Sequence, residues 1–356
     1  MFSEHNLFHS NSKKMKGIPS KSVHLVVTSP PYPMISMWDD IFSTQNKRIK
    51  DSLTKNDGTK AFEFMHKELD KVWGEVNRVL VDGGIVCINI GDATRMIDEK
   101  FQLFSSHSRI ISKFIELGFV NLPNIIWRKS TNAPNKFMGS GMYAPGAYVT
   151  LEHEHILIFR KGGKRSFKSQ EEKFNRRESS YFWEERNLWF SDVWFDLRGV
   201  AQNTGKDNMR ERTAAYPFEL AYRLINMFSV KGDTILDPFL GTGTTTVAAI
   251  TSNRNSIGID IDKNFLDHAM DHISNIEISS INSYINKRVE NHHQFVKDRK
   301  KKHGVDALKY TNKHHRYLVM TKQEVEGKFD FVDKIIPNKK DYSVSVEYSD
   351  VNRILI

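Results

Sequence analysis

Cysteine is almost absent from this sequence, with Cys87 as its single representative among 356 residues. No disulfide can form within the chain, which is typical of proteins from a reducing compartment. The first residues lack the basic stretch and apolar core of a signal peptide. Long apolar runs are also missing, and none approaches the length of a membrane span. These absences predict a cytoplasmic protein without a membrane segment.

Acidic residues are fewer than basic residues in this sequence. The chain carries 52 Lys and Arg residues against 43 Asp and Glu residues, which gives a net charge of +9 and a pI of about 9.3. A positive balance suits a polyanionic partner such as nucleic acid, but it can equally serve solubility alone. Charge therefore leaves both interpretations open. The length allows a large α/β domain with an inserted or appended region.

Short apolar runs alternate with amphipathic stretches through most of the chain. Strands are predicted at 23–27, 85–90, 125–127, 155–159, 234–237 and 256–260, and a β-rich tail at 342–348. Helices are predicted at about 60–80, 106–117 and 217–228 and from Thr244 onwards, with Pro217 as a first helical residue. Residues 33–58 look irregular, and periodicity is lost from 160 to about 208. The alternation predicts a mostly parallel α/β sheet.

A glycine-rich loop, residues 237–245, joins a predicted strand to a predicted helix, and its glycines let the backbone approach a ligand. A phosphate-binding loop needs a lysine after the glycines, which is missing, and a dinucleotide fingerprint needs a third glycine where Thr246 stands. S-adenosylmethionine has no phosphate and requires an acid for its ribose hydroxyls. Asp260, 17 residues after Gly243, can supply that acid. A tight turn without a ligand is the alternative.

A proline-rich loop, Thr28-Ser29-Pro30-Pro31-Tyr32-Pro33, follows the predicted strand 23–27 and faces the same sheet edge as the glycine loop. An exocyclic base amine is a poor nucleophile because its lone pair is delocalised into the ring. Two acceptors, Ser29 Oγ and the Pro30 carbonyl, could localise that lone pair by accepting the amine hydrogens. Tyr32 could stack on a base flipped out of a duplex. Taken alone, this loop is better explained as a proline-rich turn with a packed tyrosine.

Together these motifs resemble the DNA amino-methyltransferases, the family that makes N4-methylcytosine or N6-methyladenine. Residues 28–32 match the catalytic motif of the family, 237–245 its cofactor motif and 258–260 its ribose-acid motif. Residues 212–220 are similar to the segment that precedes the cofactor loop and contributes to the methionine pocket. The resemblance covers residues from about 10 to 275. It implies a Rossmann-like methyltransferase domain that uses S-adenosylmethionine.

The resemblance also implies the site residues. The catalytic residues would be Ser29, Pro30, Pro31 and Tyr32. The cofactor-binding residues would be Asn11, Thr28, Pro217, Phe218, Asp237, Pro238, Phe239, Gly241, Gly243, Thr244 and Asp260. Two positions depart from the family pattern. Ser10-Asn11 stand where Gly-Asp is frequent, and Asp260 stands where Glu is frequent.

The catalytic motif precedes the cofactor motif, which is the circularly permuted β-type order of this family. That order implies a catalytic half at 1–160, a target-recognition region at 161–205, a cofactor-binding half at 206–280 and a basic C-terminal extension at 281–356. Duplex DNA would contact a basic cluster interleaved with aromatic residues. Its members are Arg160, Lys161, Lys164, Arg165, Arg176 and Arg177.

A serine in the first catalytic position is typical of members that act on cytosine N4, whereas an aspartate is typical of adenine N6. Cytosine N4 is therefore predicted, with adenine N6 as the alternative. Methylation at cytosine C5 requires a thiolate, and Cys87 lies in an apolar strand run where a thiol is an inert core residue.

The resemblance further implies a restriction–modification system, in which a cognate restriction endonuclease would be the functional partner. A catalytically silent DNA-binding protein is the alternative from another functional class. His153 and His155 alternate on one predicted strand, but no third ligand is spaced to complete a metal site. No metal is therefore predicted.

Overall fold

The structure is a computed structural model and describes residues 1–129, 138–198 and 216–349. Its strands are β1 Phe2–His9, β2 Val23–Thr28, β3 Leu80–Ile90, β4 Ala93–Ile97, β5 Lys100–Phe104, β6 Phe119–Asn121, β7 Ile125–Arg128, β8 Met138–Gly139, β9 Ala147–Tyr148, β10 His153–Lys161, β11 Val193–Trp194, β12 Thr234–Asp237, β13 Asn255–Asp260, β14 Tyr310–Thr311, β15 Leu318–Val319, β16 Phe331–Asn338 and β17 Ser343–Ser349. Its α-helices are α1 Asp39–Gln45, α2 Lys47–Thr54, α3 Gly58–Val79, α4 Ser106–Glu116, α5 Gln170–Glu178, α6 Trp183–Trp189, α7 Phe218–Phe228, α8 Thr244–Thr251, α9 Lys263–Ser274 and α10 Ile278–His303.

Eleven strands form one sheet. Their order is β11-β7-β10-β3-β2-β12-β13-β1-β17-β16, and β6 pairs beside β10. The central strands β3, β2, β12, β13 and β1 are parallel to one another, whereas β10 is antiparallel to β3 and β17 is antiparallel to β1. The predicted mostly parallel α/β sheet is therefore confirmed, and the fold is that of a Rossmann-like methyltransferase. No described helix is both long and apolar enough to cross a bilayer.

The central strands are covered on both faces, which explains why their sequences are continuous apolar runs. In β2, residues 23 and 25–27 are all buried. One face packs against α3 and α4 in a cluster that contains Trp73 and Phe114. The other face packs against α7 and α8 in a cluster that contains Tyr222 and Ala248. Cys87 is buried in this second cluster, as predicted, and burial raises the pKa of its thiol.

The prediction that residues 33–58 are irregular is wrong, because two short helices occupy this stretch. Helix α2 begins after Asn46, whose side chain accepts a hydrogen bond from the backbone N–H of Arg48. Phe42 of α1 and Ile49 of α2 are buried in the core. Each helix is too short to show several periods of apolar residues, so the sequence pattern is weak there. Helix α7 also differs slightly, since it begins at Phe218 with Pro217 as its N-cap.

The stretch after Arg160 is more ordered than its lack of periodicity predicts. Helix α5 exposes nearly all its side chains, so it has no apolar stripe, but its Ser169–Glu172 capping box marks its start. Helix α6 is held against α10 by Glu185, which pairs with Arg288 at 2.6 Å. Residues 199–205 of the predicted target-recognition region lie outside the described residues.

The predicted β-rich tail agrees with β17, which adds to the main sheet beside β1. Its inward side chains Val344, Val346 and Tyr348 are buried. The hydroxyl of Tyr348 donates a hydrogen bond to the carbonyl of Ile250 at 2.7 Å, which fixes the hairpin against α8. The four segment boundaries given above remain predictions.

Substitution of Gly258 tests how closely β13 packs beside the glycine loop. A Cβ at this position would lie 2.5 Å from Leu240 Cδ1 and 3.1 Å from Leu7 Cδ2. We expect Gly258→Ala to lower the free energy of unfolding by about 1–3 kcal/mol, because it overpacks a filled core. Urea denaturation measures this loss.

The matched control is Gly74→Ala on the exposed side of α3, where a Cβ meets nothing within 4 Å. Alanine should raise the free energy of unfolding by about 0.5–1 kcal/mol there, since it favours the helix. Equal effects of the two substitutions would contradict the packing described at Gly258.

Candidate active site

The two loops predicted to carry chemistry lie at one edge of the sheet. Strand β12 pairs with β2 on one side and with β13 on the other, all in parallel. The carboxyl ends of the three strands are therefore neighbours, as in other open α/β sheets that bind ligands. The proline-rich loop follows β2, the glycine loop follows β12 and Asp260 ends β13.

A cavity at this edge brings most of the predicted residues together. The catalytic-loop residues that line it are Ser29, Pro30 and Pro31, and the predicted cofactor residues that line it are Asn11, Asp237, Pro238, Phe239, Gly241, Thr244 and Asp260. The predicted residues that are not part of its wall are Tyr32, Thr28, Pro217, Phe218 and Gly243.

The glycine loop is tightly folded. Gly241 and Gly243 have φ angles of +52° and +82°, a region that favours glycine, and Gly243 caps α8. The backbone N–H of Gly241 donates to Asp260 Oδ2 at 2.9 Å. The backbone N–H of Asp262 donates to Asp260 Oδ1 at 2.9 Å. Burial raises the pKa of the Asp260 carboxyl to about 6. The acid is thus held in place at the cavity wall.

Asp237 joins the two loops. Its buried carboxylate accepts hydrogen bonds from the Thr28 hydroxyl at 2.6 Å and the Thr245 hydroxyl at 2.7 Å. It also accepts from the Tyr216 hydroxyl at 3.2 Å and the backbone N–H of Phe239 at 3.0 Å. Burial raises the pKa of this carboxyl, whereas these hydrogen bonds oppose the rise. The Asp237 carboxylate therefore holds Thr28, and thereby the loop that follows, against the glycine loop.

Tyr32 turns away from the cavity. Its side chain is 3% exposed, and a Cβ at Gly91 would lie 2.9 Å from its ring. The Tyr32 hydroxyl donates to Glu154 Oε2 at 2.9 Å and accepts from Ser29 Oγ at 3.1 Å. Stacking of a base on Tyr32 remains a prediction, since the ring is covered in this structure.

A further part of the cavity wall was not predicted from the sequence. It consists of residues from the first helices and from α3, namely Trp38, Ile41, Phe42, Gln45, Glu68, Leu69 and Val72. The helical spacing of Leu69 and Val72 was a usable signal, but it predicted only core packing. Tyr216 also lines the cavity, whereas the neighbouring Phe218 packs against Tyr222 and Tyr284 with ring centroids 5.5 and 4.9 Å apart.

The predicted DNA-binding cluster does not adjoin this cavity. Lys161 Nζ donates to the carbonyls of Asn77 and Leu80, and Arg165 pairs with Asp233 at 2.6 Å. Leu80 begins β3 and Asp233 precedes β12, so these contacts lie at the amino ends of the parallel strands.

The other members of the cluster follow the same part of the chain. Arg160 bonds to the carbonyl of Gly162 at 3.0 Å, and Arg176 lies 4.9 Å from the ring centroid of Phe167. Lys164 and Arg177 are exposed in the same stretch. None of these six cations lines the cavity, because Lys161 and Arg165 anchor the cluster at the amino ends of the parallel strands. Contact between this cluster and duplex DNA stays a prediction.

Asp92, His107 and His155 place potential ligand atoms within 4.8 Å of one another. The two imidazole rings stack with centroids 4.0 Å apart and an interplanar angle of 22°. Ring-nitrogen lone pairs lie in the ring planes, so two nearly parallel rings do not converge on one ion. Asp92 instead accepts hydrogen bonds from the backbone N–H and Nδ1 of His107. This contact stabilises the first turn of α4.

Residues 23–271 match the family model described as DNA methylase, of the N6/N4 type. The chain is 53% identical to Type II methyltransferase M.MthZI of Methanothermobacter thermautotrophicus, over 91% of this chain and 89% of that protein. It is 52% identical to Type II methyltransferase M.MjaI of Methanocaldococcus jannaschii, over 73% of this chain and 88% of that protein.

The chain belongs to the DNA methylase family. A similar solved structure is a protein of Thermus thermophilus that is designated a putative DNA modification methylase and is complexed with S-adenosyl-L-methionine. Its TM-score is 0.59 at 33% identity, over 75% of this chain and 92% of that one. This methylase is accordingly an S-adenosylmethionine-dependent methyltransferase that acts on DNA.

Proposed function

We propose that this methylase transfers a methyl group from S-adenosylmethionine to the N4 amine of cytosine at a specific site in duplex DNA. The observation that carries the proposal is the shared cavity, in which Ser29 and Pro30 face the glycine loop and Asp260. A serine in the first position of the proline-rich loop supports cytosine over adenine, since the family resemblance associates adenine with an aspartate there.

The cavity fits the cofactor. Its wall contains apolar side chains such as Phe239, Ile261 and Phe265 for a purine ring, and the carboxylate of Asp260 for two ribose hydroxyls. The left-handed backbone at Gly241 allows close approach to a ligand. Asn11 also lines the cavity and can accept from the purine amine. When bound, the cofactor supplies an electrophilic methyl group on a positively charged sulfur.

The residues of the proline-rich loop prepare the nucleophile. Ser29 Oγ and the Pro30 carbonyl accept hydrogen bonds from the amine, which draws its nitrogen towards tetrahedral geometry and localises its lone pair. The rigid prolines fix both acceptors before the reaction, which is the preorganisation that favours a transition state. The new N–C bond forms as the S–C bond breaks, and the amine then loses one proton to solvent.

A restriction–modification role is part of the proposal. Two relatives that cover most of this chain are named Type II methyltransferases. A cognate restriction endonuclease would then cut the unmethylated form of the same DNA site. The basic pI of about 9.3 favours duplex DNA as the macromolecule that this methylase binds.

Nucleoside mass spectrometry tests the proposal. The purified protein is incubated with labelled S-adenosylmethionine and duplex DNA of mixed sequence, and the DNA is digested to nucleosides. We expect labelled N4-methylcytosine. N6-methyladenine as the product would replace cytosine by adenine in the proposal. Absence of transfer to any duplex, despite cofactor binding, would favour a catalytically silent DNA-binding protein.

Ser29→Ala separates amine orientation from cofactor binding. Loss of one oriented acceptor should lower kcat by about 100-fold or more, because it acts on the transition state. The cofactor Kd, measured by equilibrium dialysis, should change by less than about threefold, a split that identifies an interaction made in the transition state. Parallel losses in kcat and affinity would contradict the role given to Ser29.

The raised pKa of Asp260 predicts how cofactor binding depends on pH. Its carboxyl has a pKa of about 6 in the folded protein, raised by burial, so the carboxylate form dominates above that pH. Ribose hydroxyls donate to a carboxylate more strongly than to a neutral acid. Cofactor affinity should therefore fall as the pH decreases through 6. Asp260→Asn should bind weakly and lose this pH dependence, and an unchanged profile in that variant would refute the assignment.

A further inference from the structure

A buried chain of hydrogen bonds runs from Glu154 to the catalytic loop. Glu154 Oε2 accepts from the Tyr32 hydroxyl at 2.9 Å, and the Tyr32 oxygen accepts from Ser29 Oγ at 3.1 Å. Glu154 is 9% exposed and Tyr32 is 3% exposed, whereas Ser29 lines the cavity. The chain therefore connects a carboxylate behind the loop to the hydroxyl that faces the substrate.

The carboxylate of Glu154 determines which group donates and which accepts in each of these hydrogen bonds. Lys129 Nζ donates to Glu154 Oε1 at 2.6 Å, and Asn89 Nδ2 donates to Glu154 Oε2 at 2.6 Å. A carboxylate has no hydrogen to give, so the Tyr32 hydroxyl must donate to it. Burial and the Glu154 charge raise the pKa of the Tyr32 phenol well above its ordinary value, so the phenol keeps its proton.

Because the Tyr32 hydroxyl donates to Glu154, its oxygen can only accept from Ser29. Asn89 Nδ2 donates a hydrogen bond to the Tyr32 oxygen at 2.9 Å. Ser29 Oγ also donates to this oxygen, and the donated hydrogen is the only one that the Ser29 hydroxyl has. A hydroxyl whose hydrogen is already engaged can only accept from a further partner. A target amine offers hydrogens and needs acceptors. Without the hydrogen bond to Tyr32, the Ser29 hydroxyl could rotate and present its hydrogen to the amine.

We propose that Glu154, acting through the Tyr32 hydroxyl, positions Ser29 as a hydrogen-bond acceptor for the amine of the target base. This inference rests on the proposed function, because it assigns a positioning residue to the same site. It gives Glu154, 122 residues away in the sequence from Tyr32, a role in base methylation that differs from packing.

Glu154→Gln is the principal test. Glutamine keeps the size of the side chain, but only one end of its amide can accept, and Lys129 competes with Tyr32 for that end. We expect kcat for DNA methylation, at saturating DNA and cofactor, to fall by about tenfold or more, as for loss of a transition-state hydrogen bond. The cofactor Kd should stay within about twofold, because Glu154 does not line the cavity.

Glu152→Gln is the matched control. Glu152 makes an exposed ion pair with Arg128 at 3.3 Å, two residues before Glu154. Such exposed pairs contribute about 1 kcal/mol or less, so we expect kcat to stay within about twofold of the wild type. Tyr32→Phe provides a second test that removes one oxygen and keeps the ring. It should lower kcat by a factor similar to that of Glu154→Gln.

The double variant distinguishes positioning from general loosening of the fold. If Glu154 acts through the Tyr32 hydroxyl, the variant with both substitutions should be no slower than the slower single variant. Thermal unfolding of each variant verifies that the fold is retained. If Glu154→Gln does not fold, Tyr32→Phe decides alone, and a wild-type kcat in that variant would overturn the inference.

Other outcomes also overturn it. One is a kcat for Glu154→Gln that equals the kcat for Glu152→Gln. Another is a double variant in which the two losses of kcat multiply. A third is a cofactor Kd for Glu154→Gln that weakens by the same factor as its kcat falls. These results leave the proposed function intact, provided that the wild type methylates DNA. If the wild type transfers no methyl group to any duplex, the proposed function fails first and this inference fails with it.

Discussion

The buried carboxylate of Asp237 is the constraint on which the rest of the site depends. Removing a charged group from water is costly unless hydrogen bonds replace the lost solvation, and Asp237 obtains four. Two of its donors, Thr28 and Thr245, lie on different elements that are 217 residues apart in the sequence. The hydrogen bonds that compensate for burial of the charge therefore also fix the distance between the proline-rich loop and the glycine loop.

The sequence predicted the continuous parts of the site well. A buried strand followed by prolines, and another followed by glycines and an acid, are local patterns, and parallel strands necessarily bring their carboxyl ends to one edge. The part of the wall formed by Ile41, Phe42 and Gln45 was missed because α1 has only seven residues. The partners of the basic cluster could not be predicted either. Charge and aromatic content predict a nucleic-acid surface, but they do not show that Lys161 bonds to backbone carbonyls and that Arg165 pairs with a carboxylate at the amino ends of the parallel strands.

The chain from Glu154 to Ser29 was also out of reach of sequence reasoning. Its members come from β3, β10, the end of β7 and the proline-rich loop, and no spacing relates them. Strand β10 places Glu154 between two histidines and ahead of an apolar run, so its sequence does not reveal that this carboxylate is buried and requires partners. A serine hydroxyl both donates and accepts, so its chemical role depends on neighbours that the sequence does not reveal.

The pairing of β1 has a consequence for how the protein is made. This first strand of the chain lies between β13 and β17, which are synthesised some 250 and 340 residues later. A nascent chain therefore holds β1 with both edges unpaired until β13 has been made, and Ser10 can bond to Asp260 only then. Until then, β1 presents unpaired backbone N–H and C=O groups to chaperones or to the strands of other chains.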